Sequence, residues 1–223
     1  MPDLLKTLSS IPGTAVLIGL LVAAALLVVL VNWRLLIVAL GAQYILIGLM
    51  LTRVVPIELA AVKALVGVMI CPVLYITARR VHWGQSEDDQ DVPPRPRTRL
   101  DWLIAPGLPV RAIVAGLALA LSVSLATRSP LGITGDQVLS LDLTIGTYCV
   151  MLLGLMNAAL AENPLKVGLG LLSIIAGFEL FFTAIEPTLT IVGLLGLVNL
   201  ILALAISYLT TAWAARRGEA RPS

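Results

Sequence analysis

Two ionisable residues lie inside long apolar stretches of this sequence, and they are its best candidates for chemistry. Lys63 and Glu179 each have apolar residues on both sides. If these stretches cross a membrane, an ionisable side chain there costs about 2.5–3.5 kcal/mol on insertion scales, so it is a functional candidate by default. The pattern predicts a proton or ion pathway. The simpler alternatives are that Lys63 extends to the membrane surface and that Glu179 only forms a hydrogen bond between helices.

Neither candidate has an evident partner nearby in the sequence. Glu58 precedes Lys63 by five residues, whereas residues three or four apart face each other on a helix. We therefore expect Lys63 to pair with a residue elsewhere on this chain or on another chain. Glu58, Asn157 and Asn199 are weaker pathway candidates, because a position near a helix end or ordinary packing between helices explains them as well.

The sequence lacks the common signatures of a catalytic, cofactor or metal site. It holds one histidine, His82. Its two cysteines, Cys71 and Cys149, lie in separate apolar stretches, which favours small buried residues over a disulfide. A phosphate-binding glycine loop and a Ser/His/Asp arrangement are both missing. We expect no catalytic site, cofactor or metal in this chain alone, and we interpret Glu162 and Lys166, four residues apart, as a surface ion pair.

The composition indicates which solvent surrounds these residues. Of 223 residues, 59% are hydrophobic and 13% are charged, and the mean hydropathy is +1.00. A soluble domain is closer to half apolar and a quarter charged. The composition therefore excludes a cytosolic enzyme, a secreted domain and a disordered regulator, and it predicts a protein in a lipid bilayer. The net charge of +2 is too small to indicate a nucleic-acid partner.

The apolar stretches predict an all-α membrane protein with seven transmembrane helices. A spanning helix needs about 20 mostly apolar residues. Turn-forming or charged residues, such as Asn163-Pro164 and Glu186-Pro187, separate the stretches. The predicted spans are 13–31, 35–51, 56–78, 110–127, 141–160, 165–185 and 189–214.

The distribution of basic residues predicts the orientation. Seven spans place the termini on opposite sides, with three lysines and arginines on one side and eleven on the other. Because cytoplasmic loops are enriched in these residues, we expect the N-terminus outside and the C-terminus in the cytoplasm. A multi-pass protein of a bacterial cytoplasmic membrane fits this pattern.

Similar features in the two halves of the chain suggest a duplication. Asn32-Trp33-Arg34 and Asn163-Pro164-Leu165-Lys166 each stand between the first two helices of a half. The third helix of each half ends in a pair of arginines, Arg79-Arg80 and Arg216-Arg217. We predict two parallel three-helix repeats, as occur in some transporters. The alternative is that basic residues after a helix are only general stop signals.

The resulting organisation is three helices, one connecting helix and three helices. We divide the chain into a first membrane repeat, a polar cytoplasmic linker, the fourth helix with an outer loop, a second membrane repeat and a tail. The linker is rich in acidic residues and proline, which favours an extended, solvated segment. The boundaries are 1–80, 81–109, 110–140, 141–217 and 218–223.

Several short stretches resemble the hydrogenase-4 membrane component E family, a duplicated relative of the K subunit of respiratory complex I and of the C subunit of Mrp-type sodium/proton antiporters. The second half resembles the family over 153–179, with the turn at Asn163-Pro164-Leu165-Lys166. The first half does so in Asn32-Trp33-Arg34-Leu35-Leu36, in Val62-Lys63-Ala64-Leu65-Val66 and in residues 72–80 (PVLYITARR).

The resemblance implies a membrane subunit beside large antiporter-like subunits, supporting proton or cation translocation. K subunits carry glutamates in their second and third helices. Glu179 lies in the second helix of the second repeat, about two turns further from the Asn163 turn than the family pattern implies, and the third helix has no carboxylate. Lys63 matches a lysine of the component E pattern. Two alternatives stay open: a purely structural subunit of such a complex, and a standalone transporter of small solutes.

Overall fold

Seven α-helices make up the described part of this chain. The structure, a computed structural model, describes residues 13–30, 32–81, 108–129, 131, 140–161 and 163–219, and these contain no strand. The helices are α1 (Gly13–Val29), α2 (Trp33–Leu51), α3 (Ile57–Arg80), α4 (Leu108–Arg128), α5 (Leu141–Ala159), α6 (Pro164–Ile185) and α7 (Leu189–Glu219).

The lengths and composition of the helices confirm the predicted all-helical, membrane-type fold class. Helices α2 to α7 are long and apolar enough to cross a membrane, whereas α1, with 17 residues, is shorter. A span requires about 17–25 residues, so α1 stands at the lower limit. His82, Glu162 and most of the predicted linker 81–109 lie outside the described residues.

Local chemistry explains where two of the helices begin. The side chain of Asn32 accepts a hydrogen bond from the Arg34 backbone N–H at 3.1 Å, and that of Asn163 accepts one from the Lys166 N–H at 3.0 Å. Such caps satisfy backbone donors that a helix leaves free at its start. Pro164 occupies the first turn of α6, where its missing N–H costs nothing. The turns predicted at these two asparagines therefore do begin helices.

The first three helices pack against the last three in matching order. Helix α2 lies between α1 and α3, and α6 lies between α5 and α7. Between the two groups, α1 contacts α5, α2 contacts α6 and α3 contacts α7, while α4 packs on α1 and α5. A Cβ placed on Gly13 would lie 3.2 Å from Oδ2 of Asp142, so α1 and α5 begin at the same end of the bundle.

Glycines allow two neighbouring backbones, α5 and α6, to touch. A Cβ on Gly170 would lie 2.6 Å from the backbone nitrogen of Ala158 and 2.7 Å from the carbonyl oxygen of Gly154. The backbones of α5 and α6 therefore pack directly against each other in this part of α6. On α7, a Cβ at Gly196 would lie 3.1 Å from Cγ2 of Val66 on α3, whereas a Cβ at Gly193 would meet nothing within 4 Å.

The outward surface of the bundle is apolar, as a lipid environment requires. Many large apolar side chains are exposed, among them Val38, Ile113, Leu117, Leu194 and Ile201. Soluble monomers rarely expose such extensive apolar surface. The polar side chains that the sequence places inside the spans are instead mostly buried between helices, and they form the site described next.

Candidate functional site

An ion pair inside the bundle joins the two strongest candidates from the sequence. Lys63 on α3 and Glu179 on α6 form a salt bridge, with side-chain exposures of 2% and 0%. The expectation that Lys63 pairs with a distant residue is confirmed, and that residue is on this chain. The alternative in which Lys63 extends to the membrane surface is wrong, because its side chain is buried between helices. The sequence indicated both residues, because each lies in an apolar stretch, but it did not indicate that they pair with each other.

A third helix contributes an amide to the same carboxylate. Nδ2 of Asn199, on α7, donates a hydrogen bond of 2.8 Å to Oε2 of Glu179, the oxygen that also faces Lys63. Asn199 is fully buried. One carboxylate oxygen thus holds together α3, α6 and α7, which come from both halves of the chain. Of the weaker sequence candidates, Asn199 is the one that the fold brings to the ion pair.

Helix α2 supplies an aromatic ring beside the lysine. Nζ of Lys63 lies 5.9 Å from the ring centroid of Tyr44, within the range of a cation–π attraction. The ring fits there because Gly67, one turn after Lys63, has no side chain: a Cβ on Gly67 would lie 2.6 Å from Cδ1 of Tyr44. Nothing in its sequence position distinguishes Tyr44 from other polar residues within the apolar stretches. The signal that selects it, its contact with Gly67, exists only in the folded chain.

A second buried polar contact lies nearer the start of α6 than the ion pair does. Nε2 of Gln43 on α2 donates to Oγ of Ser173 on α6 at 2.7 Å, and both residues are buried. Ser173 precedes Glu179 by six residues, which is about 9 Å along a helix. Thr183, one turn beyond Glu179, is buried as well. Helix α6 therefore carries buried polar side chains on both sides of the ion pair along its axis.

Several buried oxygens around this site have no hydrogen-bond partner within the described part of the chain. Buried polar atoms are ordinarily satisfied by protein groups or by ordered water. These oxygens are consequently available to bind water or a cation at the ion pair and at the Gln43–Ser173 contact. They are Oε1 of Gln43, Oη of Tyr44, Oε1 of Glu179, Oγ1 of Thr183 and Oδ1 of Asn199.

The remaining sequence candidates lie elsewhere. Glu58 is exposed in the first turn of α3, so it is not part of the buried site. Asn157 on α5 is buried, but its Nδ2 has no described partner and no described contact joins it to the ion pair. The surface position predicted for Lys166 is wrong, since that side chain is only 6% exposed. Its backbone N–H takes part in the Asn163 cap in the first turn of α6.

This arrangement suits proton or ion exchange better than covalent catalysis. A proton that moves from Nζ of Lys63 to Oε2 of Glu179 turns a charged pair into a neutral pair, and the net charge of the pair is zero in both states. The bilayer therefore does not oppose the transfer through a change in net charge. Among the described residues, no group of three or more His, Cys, Asp or Glu side chains is placed to hold a metal ion.

The Gln43–Ser173 contact should contribute measurably to stability. In a double-mutant cycle with Gln43→Leu and Ser173→Ala, we expect a coupling of about 0.6 kcal/mol, and at most about 1.7 kcal/mol, as for other hydrogen bonds between membrane helices. The full chain in detergent would be unfolded with SDS and followed by circular dichroism. Ser122→Ala is the matched control, because it also removes one buried serine hydroxyl, whose hydrogen bonds are to Ala118 of α4 and Cys149 of α5 and do not join α2 to α6. A cycle without coupling would show that the contact is not formed.

Comparison with known proteins gave no match: no family model, no curated protein and no solved structure matches this chain. Its function has to be inferred from the buried ion pair and from the packing of the helices.

Proposed function

We propose that this chain is an integral membrane subunit of a complex I-like, membrane-bound hydrogenase-like or Mrp-like assembly, where it supports proton or cation translocation beside large antiporter-like subunits. The observation that carries the proposal is the buried contact of Lys63 and Asn199 with one oxygen of Glu179. Replacing a buried ion pair with apolar residues is often neutral or stabilising, so stability alone is a weak reason for it. Transport of charge across the membrane explains the buried ion pair better than stability does.

The packing of the helices supports the accompanying proposals on origin and orientation. The matching contacts of α1 with α5, α2 with α6 and α3 with α7 are those expected of two parallel three-helix repeats with α4 between them. Both repeats would have an asparagine cap at the start of their second helix. We place the N-terminus outside and the C-terminus in the cytoplasm of a bacterial membrane, and we assign the chain to the component E-like subunits that it resembles.

In the proposed mechanism, a second proton, taken up from the pathway on Oε1 of Glu179, releases the Lys63 ammonium group; this step is distinct from proton transfer within the pair. A neutral carboxyl group attracts the ammonium group less than a carboxylate does, and the Tyr44 ring offers the cation an alternative position. Asn199 keeps its hydrogen bond to Oε2 of Glu179 in both states, because that oxygen can accept whether or not the other oxygen carries a proton. The polar path would continue through Gln43 and Ser173.

Measurement of ion movement tests whether Lys63 and Glu179 act as a proton or ion relay. We expect the double variant Lys63→Gln with Glu179→Gln to lower coupled proton or cation movement on the order of 10²-fold in vesicles that hold the assembled complex. The variant keeps polar side chains of similar size and leaves no charge without its partner, so the complex should assemble normally. Ser122→Ala on α4 is the control variant and should behave as the native chain. Native ion movement in the double variant would overturn the relay and favour a purely structural subunit.

Co-purification tests the assignment to a complex. The full chain would be extracted in mild detergent and isolated through an affinity tag. Large antiporter-like subunits in a fixed ratio are the expected result, and accompanying soluble redox subunits would distinguish a hydrogenase-like or complex I-like assembly from an antiporter. A chain that purifies alone and moves a solute by itself in proteoliposomes would replace this proposal with the standalone transporter.

A further inference from the structure

Three side chains from two helices meet at the end of the bundle where α2 begins and α3 ends, and a fourth follows one turn further along α3. Cζ of Arg34 lies 5.2 Å from the ring centroid of Trp33, and the Trp33 ring lies 5.5 Å from the ring of Tyr75 on α3. Arg79 follows Tyr75 by one turn and therefore lies on the same side of α3. Both arginines are exposed, and Tyr75 is 40% exposed. We call these four residues the Arg34–Arg79 cluster.

The cluster is positively charged, and no carboxylate in the part of the chain that the structure describes forms an ion pair with it. Arg34 stands in the first turn of α2, where the free backbone N–H groups already create a positive potential, and that turn has no acidic residue. Neither Arg34 nor Arg79 forms an ion pair with a carboxylate in the described ranges. A cation is disfavoured at the start of a helix unless an anion is close by. The position of Arg34 therefore favours an anion from outside the described chain.

An apolar surface continues from the cluster along both helices. Val38 on α2 is 67% exposed and Met69 on α3 is 56% exposed, and Leu35 and Ile76 are exposed nearer the cluster. Tryptophan and tyrosine are enriched at the depth of lipid headgroups, where one side of the ring is wet and the other is apolar. The surface thus changes from cationic to aromatic to apolar along the helix axis, and this is the order of the parts of a phospholipid.

We propose that the Arg34–Arg79 cluster binds the headgroup of an anionic phospholipid. Arg34 and Arg79 make charge-assisted hydrogen bonds to the phosphate oxygens, and the Tyr75 hydroxyl donates another. The acyl chains follow the exposed apolar side chains of α2 and α3, next to Val38 and Met69. This site shares no residue with the Lys63–Glu179 pair, so this proposal does not depend on the proposed function and can be tested separately.

Lipid titration of the full chain in a neutral detergent tests this site. Dioleoylphosphatidylglycerol would be added in mixed micelles, with dioleoylphosphatidylcholine as the neutral lipid, and binding measured by native mass spectrometry and by the shift in unfolding temperature. We expect saturable binding of the anionic lipid. Because each basic residue contributes about a fivefold preference for anionic lipid, Arg34→Gln with Arg79→Gln should weaken binding about 30-fold.

A matched variant separates the cluster from general surface charge. Arg80→Gln with Arg216→Gln also removes two exposed arginines from helix ends, but neither belongs to the cluster. Its lipid affinity should stay near the native value. Equal losses in the two double variants would overturn the proposal. A saturable shift of the same size with inorganic phosphate would also overturn it, since the ligand would then be a free anion.

The acidic linker of this chain is the other candidate occupant of the Arg34–Arg79 cluster. The lipid titration distinguishes it from a phospholipid. If the linker occupied the cluster, the anionic lipid would bind weakly to the native chain. Binding would then strengthen when the linker's acidic residues, Glu87, Asp88, Asp89 and Asp91, are replaced by their amides. Equal lipid binding before and after that replacement supports the lipid site. An increase on replacement would overturn it.

Discussion

A chain with Leu in place of Glu179 that keeps Lys63 will lose about 3–5 kcal/mol of its free energy of unfolding. Lys63 is buried between helices, and Glu179 is its ion-pair partner in the described structure. Removal of the carboxylate leaves an ammonium group without counter-charge in an apolar interior. Asn199 also loses its hydrogen-bond acceptor. The loss would be measured by SDS-induced unfolding of the full chain in detergent.

A second substitution should reverse about half of that loss. With Lys63→Met added to Glu179→Leu, no charge is left in the interior, and buried ion pairs replaced by apolar residues of similar volume are often no less stable. The remaining deficit should be about 1–3 kcal/mol, because the Asn199 amide still lacks its acceptor. If the double variant unfolds as readily as Glu179→Leu alone, the cause is lost packing and not the unpaired charge.

The second large effect is expected at the interface of α5 and α6. Gly170→Ala should destabilise the chain by about 1–3 kcal/mol, because the new methyl group would lie 2.6 Å from the nitrogen of Ala158 and 2.7 Å from the carbonyl oxygen of Gly154. Both are backbone atoms, so no side chain can turn away, and the two helices must separate. Unfolding in SDS would measure the loss.

Gly193→Ala is the matched control for this prediction. A methyl group at Gly193 meets nothing within 4 Å. Alanine is preferred over glycine within helices by about 0.5–1 kcal/mol, so this variant should be as stable as the native chain or slightly more stable. If the two substitutions destabilise the chain equally, helix propensity or the detergent causes the loss of stability. The close contact at Gly170 would then not be its cause.

The sequence by itself determined the membrane character, the helices and the list of candidate residues. Each of these depends on residues that are close together in the chain. About 20 apolar residues in a row predict a span wherever the helix lies in the bundle. An asparagine cap needs only the backbone two or three residues further on, so the caps at Asn32 and Asn163 depend on local sequence and not on tertiary contacts.

Only the tertiary structure decided which candidates meet. A helix that is apolar all round does not reveal which face it buries, because lipid and protein interior select similar side chains. The rotation of each helix is set instead by packing at particular positions, such as the contact of Gly67 with Tyr44. That rotation brings Lys63, Glu179 and Asn199 together from three helices. It also buries Lys166, which the spacing of residues along the chain does not predict.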